Sequence, residues 1–272
     1  MTELIFANEN GRAPFFADDR IFLGEGLFET LRVIHGKPCY PQLHWQRLQQ
    51  AAFSLGIPFT LSFESWLNNL LHCIKLAALQ DGGIKVILGG GDAPRGLTER
   101  SQESCLIFNA FHYDNDSRAL KLLGAPWLRD SQNPVYQIKS INYLEAIIAR
   151  RYAEGMGADD VLFFNFARHA TETSVANLFV IKDDQLHTPP LNSGLLAGII
   201  RHRILALCQE SGIVCKESEL DRNELLQADA MFLCNALQGI RKVYSFENTL
   251  FATSHPLIIL LQELLARDKA IN

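Results

Sequence analysis

Apolar positions along the chain fall into two periods. In "PQLHWQRLQQAAFSLGI", Leu43, Leu48, Ala51, Ala52 and Leu55 recur at helical spacing and the run ends at a glycine, which predicts a helix with a glycine stop. A short strand pair is expected before it. A second helix is predicted from about Phe63 to Leu79, leading through "QDGG" into "IKVILGG", whose β-branched run predicts a strand, as does "CLIFNAFHY". Past the polar stretch "DNDSR", strands are predicted at "LKLLGAP", "DDVLFFN", "ANLFVI" and "ADAMFLCN". Helices are expected to open near Ile141 and near Gly198 and to cover "PLIILLQELLARD". Strands and helices mix without regular βαβ alternation, so the pattern predicts a mixed α/β (α+β) fold in two domains. The smaller would span 1–113, a linker 114–118, and the larger 119–272.

Length and composition agree with that division. At 272 residues the chain exceeds the usual size of one core, and 48% apolar with 20% charged residues is ordinary for a folded protein. A net charge of -5 with scattered basic residues gives no footprint for nucleic acid. No basic segment followed by an apolar core opens the chain, and "HPLIILLQELLA" is too short and too polar to span a bilayer. The six cysteines form no CxxC pair and have no nearby His pair, which argues against zinc, and a chain of this size has no need of disulfide staples. These features predict a soluble cytoplasmic protein with no metal, nucleic-acid or membrane partner.

Four elements carry candidate chemistry. Lys139 precedes the helix in "QIKSINYLEAIIARR"; Glu172 lies in "HATETSVANLFV" before a buried strand; Gly198 stands at a helix start in "LLAGIIRHRI"; Arg47 sits on "HWQRLQQ". Singly, each has a structural explanation as a rim lysine, a loop carboxylate, a turn glycine or a solvated arginine. Jointly they supply what pyridoxal 5'-phosphate requires. That cofactor takes a lysine amine for its Schiff base and a carboxylate beside the pyridine nitrogen. Its phosphate takes a helix N-terminus and a guanidinium able to bind two oxygens.

The stretches "LGEGLFETLRV", "HWQRLQQAAFSLGI", "IKSINYLEAIIARRYAEGMGADDVLFFN", "TETSVANLFVIKDDQLHTPPLNSGLLAGIIR" and "ADAMFLCNAL" are similar, in this order, to the signature segments of the class IV aminotransferase family. These fold-type IV, D-amino-acid-aminotransferase-like enzymes include branched-chain aminotransferases, D-amino-acid aminotransferases and 4-amino-4-deoxychorismate lyases. The resemblance implies Lys139 as the Schiff-base lysine, placed in the larger domain, and Glu172 as partner of the pyridine nitrogen. It implies Arg47, Ile199, Ile200, Asn235 and Ala236 around the phosphate, Tyr143 at the phenolic oxygen, and a homodimer. Two departures stand out: Ile200 replaces a usual threonine, and Gly90-Gly91 replaces a usual "RG".

The spacing of "KSIN", the "APRGL" loop with Arg95, and "FLCNAL" resemble the lyase branch, whose reaction yields 4-aminobenzoate and pyruvate. Arg95 is the candidate for a substrate carboxylate, and Phe28 resembles the aromatic lining the family's pocket. The alternatives are an aminotransferase with the same cofactor residues, or a family-fold protein that only binds a small ligand.

Overall fold

The computed structural model describes residues 3–6, 20–114 and 116–271, and the chain divides into two compact units. The described residues open with β1 (Glu3–Phe6), the strand pair expected before the first helix is the antiparallel pair Gly26–Ile34 with Lys37–Pro38, and residues 7–19 lie outside the described residues, as does Asn115 of the expected linker.

Unit 1 comprises Met1–Asp114 with Ile138–Asn142. After a 3-10 turn at Arg20–Leu23 come β2 (Gly26–Ile34), β3 (Lys37–Pro38), α1 (Pro41–Leu55), α2 (Phe63–Leu76), β4 (Gly82–Gly89) and β5 (Cys105–His112). The described strands form one sheet in the order β1-β5-β4-β2-β3, antiparallel except for β1 with β5. Helix α1 starts with Pro41, which loses no intrahelical bond there, and stops where Gly56 takes a left-handed φ of 70°. Ser62 caps α2 by accepting the Ser65 N–H at 3.2 Å. That helix ends three residues earlier than expected, where the chain reverses through Ala78 at φ 47°. Trp66, Leu70, Cys73 and Ile74, spaced to one face of α2, pack on Leu27, Leu31, Ile84, Val86 and Phe108 of the sheet and form the core of this unit.

Ile138–Asn142 belongs to this unit and not, as expected, to the larger one. The Phe28 N–H donates to the Lys139 carbonyl and the Ile141 N–H to that of Gly26, both at 3.0 Å, so the segment lies along β2 as a short antiparallel bridge. This extended stretch is also why the following helix opens at Leu144 and not near Ile141.

Unit 2 comprises Asn115–Gln137 and Tyr143–Ile271. Its strands are β6 (Leu120–Arg129), β7 (Asp160–Asn165), β8 (Ala170–Thr173), β9 (Asn177–Lys182), β10 (Gln185–Thr188), β11 (Cys215–Glu217), β12 (Ala230–Asn235), β13 (Gly239–Phe246) and β14 (Thr249–Leu250). Its helices are α3 (Leu144–Gly155), α4 (Ile199–Glu210), α5 (Arg222–Leu226) and α6 (Pro256–Ile271). The described strands run β11-β10-β9-β12-β13-β6-β7-β8, and a further pairing of β8 with β9 closes six of them into a ring. Alternation then sends Leu178 and Val180 of β9 to one side, with Met231, Leu233, Val243 and Phe246. Phe179 faces the other way and stacks on Phe232 at 5.1 Å between centroids. Helix α3 covers β7 through Ala149 and Ala153 against Val161 and Phe163.

Candidate functional site

In unit 1, alternation along β2 puts Glu29 on the helix-covered face with Leu27 and Leu31, and Phe28 on the opposite face. A buried carboxylate needs partners, and α1 supplies them from His44 and Arg47, three residues apart and therefore neighbours on one helix face. Arg47 binds both oxygens of Glu29, Nε to Oε1 at 2.8 Å and Nη2 to Oε2 at 2.6 Å. His44 Nδ1 lies 2.6 Å from Oε2. Burial alone would push Glu29 up, yet the Arg47 and His44 contacts outweigh it and hold the carboxyl at about 2. Burial pushes His44 below its ordinary value, so the neutral ring donates from Nδ1, and Nε2 is buried with no hydrogen-bond partner among the described residues. The sequence pointed to Arg47 alone; the Glu29 and His44 partners are additions from the structure.

On the other face, Lys139 Nζ stands 4.2 Å from the centre of the Phe28 ring. Its backbone bond to Phe28 fixes this proximity. Lys85 of β4 places its Nζ 4.7 Å from the same ring, so one aromatic gathers two amines. Lys85 escaped the sequence reading, although a single charged residue inside "IKVIL" signals a side chain turned away from the core.

Arg95 is exposed in the loop after β4. Buried Arg20 anchors that loop by donating to the carbonyls of Gly96 at 2.6 Å and Leu97 at 3.3 Å, and it ion-pairs with Glu25. Gly90 lies beside Arg20: a Cβ there would come within 2.8 Å of the Glu25 carbonyl oxygen and 2.9 Å of Arg20 Cβ. The departure from "RG" thus has a local cause, since Arg20 and Glu25 fill the space that a side chain at position 90 would enter.

In unit 2, Glu172 of β8 pairs in register with Asn177 of β9 across a tight turn. Its Oε2 accepts the Leu196 N–H at 3.2 Å and Asn177 Nδ2 at 3.3 Å, and its Oε1 lies 3.4 Å from Arg129 Nη1. Asn177 Nδ2 also donates to the Leu196 carbonyl at 2.9 Å. Its Oδ1 stands 2.0 Å from where a Gly198 Cβ would be, so glycine is what lets the chain pass. One asparagine therefore joins the carboxylate to the segment entering α4. That helix has no side-chain cap at Gly198, and its first turn, Ile199 and Ile200 included, presents N–H groups without intrahelical acceptors. The Ile200 side chain is buried, so only its backbone serves there.

Asn235, at the end of β12, donates to the Val175 carbonyl at 3.4 Å and accepts the Gln238 N–H at 2.8 Å, holding the turn that contains half-buried Ala236. This ties it to the β8–β9 turn beside Glu172. Tyr143 precedes α3 and lines a cavity of about 480 Å³ with Ile147, Arg150, Arg151 and Val175. Among the described residues no group of three or more His, Cys, Asp or Glu is arranged to hold a metal ion, and no helix is long and apolar enough to cross a membrane.

The donor chemistry fits the cofactor that the family resemblance implies. Unit 1 offers an amine against an aromatic ring and a guanidinium fixed by a buried carboxylate. Unit 2 offers a carboxylate held by three donors and an uncapped helix start joined to it.

Comparison with known proteins agrees with that chemistry. The family described as amino-transferase class IV matches residues 26–246. A crystal structure from Legionella pneumophila, named a candidate 4-amino-4-deoxychorismate lyase, superposes with a TM-score of 0.95 at 48% identity, covering 98% of this chain and 100% of the other. The aminodeoxychorismate lyase of Vibrio harveyi is 28% identical over 83% of this chain and 84% of its own. The D-alanine aminotransferase of Bacillus licheniformis is 26% identical over 86% and 83%.

Proposed function

Since the chain belongs to the class IV aminotransferase family and is a pyridoxal-phosphate-dependent enzyme, we propose that it is a 4-amino-4-deoxychorismate lyase releasing 4-aminobenzoate and pyruvate. The observation that carries this choice is the likeness to the Legionella protein along nearly the whole of both chains. We further assign it to the cytoplasm as a homodimer, the form common in the family.

Pyridoxal 5'-phosphate, when bound, supplies a protonated ring able to store the electron pair freed at a substrate carbon. The chain's residues do the rest. Lys139 would hold the cofactor through its amine and, with that amine free, would take the proton from the substrate carbon bearing nitrogen. Phe28 and the backbone bond to β2 orient it. Glu172, as an anion, would accept the hydrogen bond of the protonated ring nitrogen. The first-turn amides of Ile199 and Ile200 would take phosphate oxygens and Asn235 and Ala236 would close around them, and Arg47, whose guanidinium Glu29 keeps from swinging, would be a further ligand of the phosphate. Tyr143 would donate to the phenolic oxygen. Arg95 and Lys85 serve the substrate's carboxylates. The enolpyruvyl C–O bond breaks as the ring becomes aromatic, and the enol gains a proton to give pyruvate.

The second reading is an aminotransferase, favoured by the D-alanine aminotransferase relative. Incubating cofactor-loaded protein with 4-amino-4-deoxychorismate separates the two. Equal release of 4-aminobenzoate and pyruvate, abolished in Lys139→Ala, is expected. Amino transfer to a keto acid without 4-aminobenzoate would replace the lyase reading, and near-normal turnover by Lys139→Ala would remove Lys139 from the chemistry.

A further inference from the structure

We propose that Arg129 is a positioning residue that holds Glu172 as an anion and thereby keeps the proton shared with the cofactor on the ring nitrogen. The proposal rests on the reading of Glu172 as partner of that nitrogen.

Arg129 ends β6, and its side chain is almost wholly buried. The guanidinium lies over the Phe163 ring, 3.4 Å from its centre, and 4.6 Å from that of Tyr136, so water does little to screen its charge. Two carboxylates divide it. Glu145, in the first turn of α3, takes Nε at 3.1 Å and Nη2 at 3.0 Å, and is itself fixed by Trp127 Nε1 at 2.9 Å. Nη1 faces Glu172 Oε1 at 3.4 Å.

A proton between a carboxylate and a pyridine nitrogen settles on the stronger base. Every donor to the carboxylate weakens it as a base. Asn177 and the Leu196 N–H contribute dipoles, whereas Arg129 is the donor among these three that carries a full charge. Glu145 trims that charge, and Phe163, Tyr136 and Trp127 hold the pair in place. The mechanism above needs the proton on the ring, and Arg129 is placed to keep it there.

The test loads the enzyme with cofactor labelled at the ring nitrogen and reads its 15N chemical shift. Arg129→Gln is expected to move the shift toward that of a neutral pyridine and to lower kcat by about tenfold or more with KM little changed. Arg129→Lys, which keeps a cation, is expected to restore part of the shift. A folded, loaded Arg129→Gln enzyme with the wild-type shift overturns the proposal.

Should that variant not fold, Glu145→Gln decides. With the competing carboxylate gone, Arg129 acts on Glu172 alone, so Glu172 becomes a weaker base and the 15N shift should stay at, or move further toward, that of a protonated pyridine. A shift toward that of a neutral pyridine overturns the proposal. Glu172→Gln is the separate control: a wild-type shift there removes the reading of Glu172 itself, whatever Arg129 does.

Discussion

Glu29 is a buried carboxylate whose environment makes the folded state sensitive to acid. Its folded value of about 2 lies below the ordinary 4.5, so the folded state holds the charged form and gains stability wherever the unfolded carboxylate is ionised. That gain is complete above about pH 5 and is lost as pH falls toward 2. At roughly 1.4 kcal/mol per unit, it is on the order of 3 kcal/mol. His44 acts in the same direction, because its lowered value means that the unfolded state takes up a proton first. Urea unfolding followed from pH 7 to pH 3 should therefore show a steep loss of stability. Glu29→Gln should flatten that dependence and cost about 3 kcal/mol at neutral pH by stranding Arg47. A variant as stable as wild type at pH 7 would show the ion pair to be dispensable. Little of this was legible beforehand: the partners stand 15 and 18 residues from Glu29, and "GLFETLRV" marks a strand without saying which face its one acid occupies. Lys85 and Arg129 were missed for the same reason, since what each touches is decided by folding and not by its neighbours in the chain.

At the scale of elements, local chemistry spoke more clearly. The glycine stop of α1, the strands "IKVILGG" and "DDVLFFN", and the helix opening after Gly198 all appear where period and punctuation put them. What the period did not reveal was β13, "GIRKVYSF", whose charged residues blur its alternation although it bridges β12 and β6 in the ring. Nor did it show that "IKSIN" would be drawn out along β2 instead of joining α3. Gly198 gives a test at this scale. Its φ of −71° suits any residue, so only space forbids a side chain. Gly198→Ala should displace Asn177, cost about 1–3 kcal/mol by denaturant unfolding, and weaken cofactor binding, because the same amide supports Glu172 and the entry to α4. A variant with unchanged stability and cofactor affinity would mean that Asn177 yields freely.

For the molecule as a whole, binding of the proposed cofactor should appear as global stability. Anything that binds the folded chain alone adds about 4 kcal/mol at a thousandfold excess over its Kd. Saturating pyridoxal 5'-phosphate should raise the thermal midpoint by several degrees, and Arg47→Gln should lose much of that rise. An equal rise in the variant would free Arg47 from any part in holding the phosphate. The mixed fold class could be read from the sequence because it follows from the order of element types. The membership of each unit could not, because Ile138–Asn142 joins unit 1 through backbone hydrogen bonds that no side-chain pattern announces.

That return of the chain has a bearing on biosynthesis. A nascent polypeptide that has been made as far as Asp114 still lacks the five residues that complete its first unit. They follow only after Asn115–Gln137, whose own partners come later still. At about 5–20 residues per second, the ribosome needs roughly one to six seconds to travel from Asp114 to Asn142. Throughout that interval the stretch of β2 reserved for the lysine segment stays open, and the amine proposed to hold the cofactor is among the last pieces fitted into the unit that was begun first.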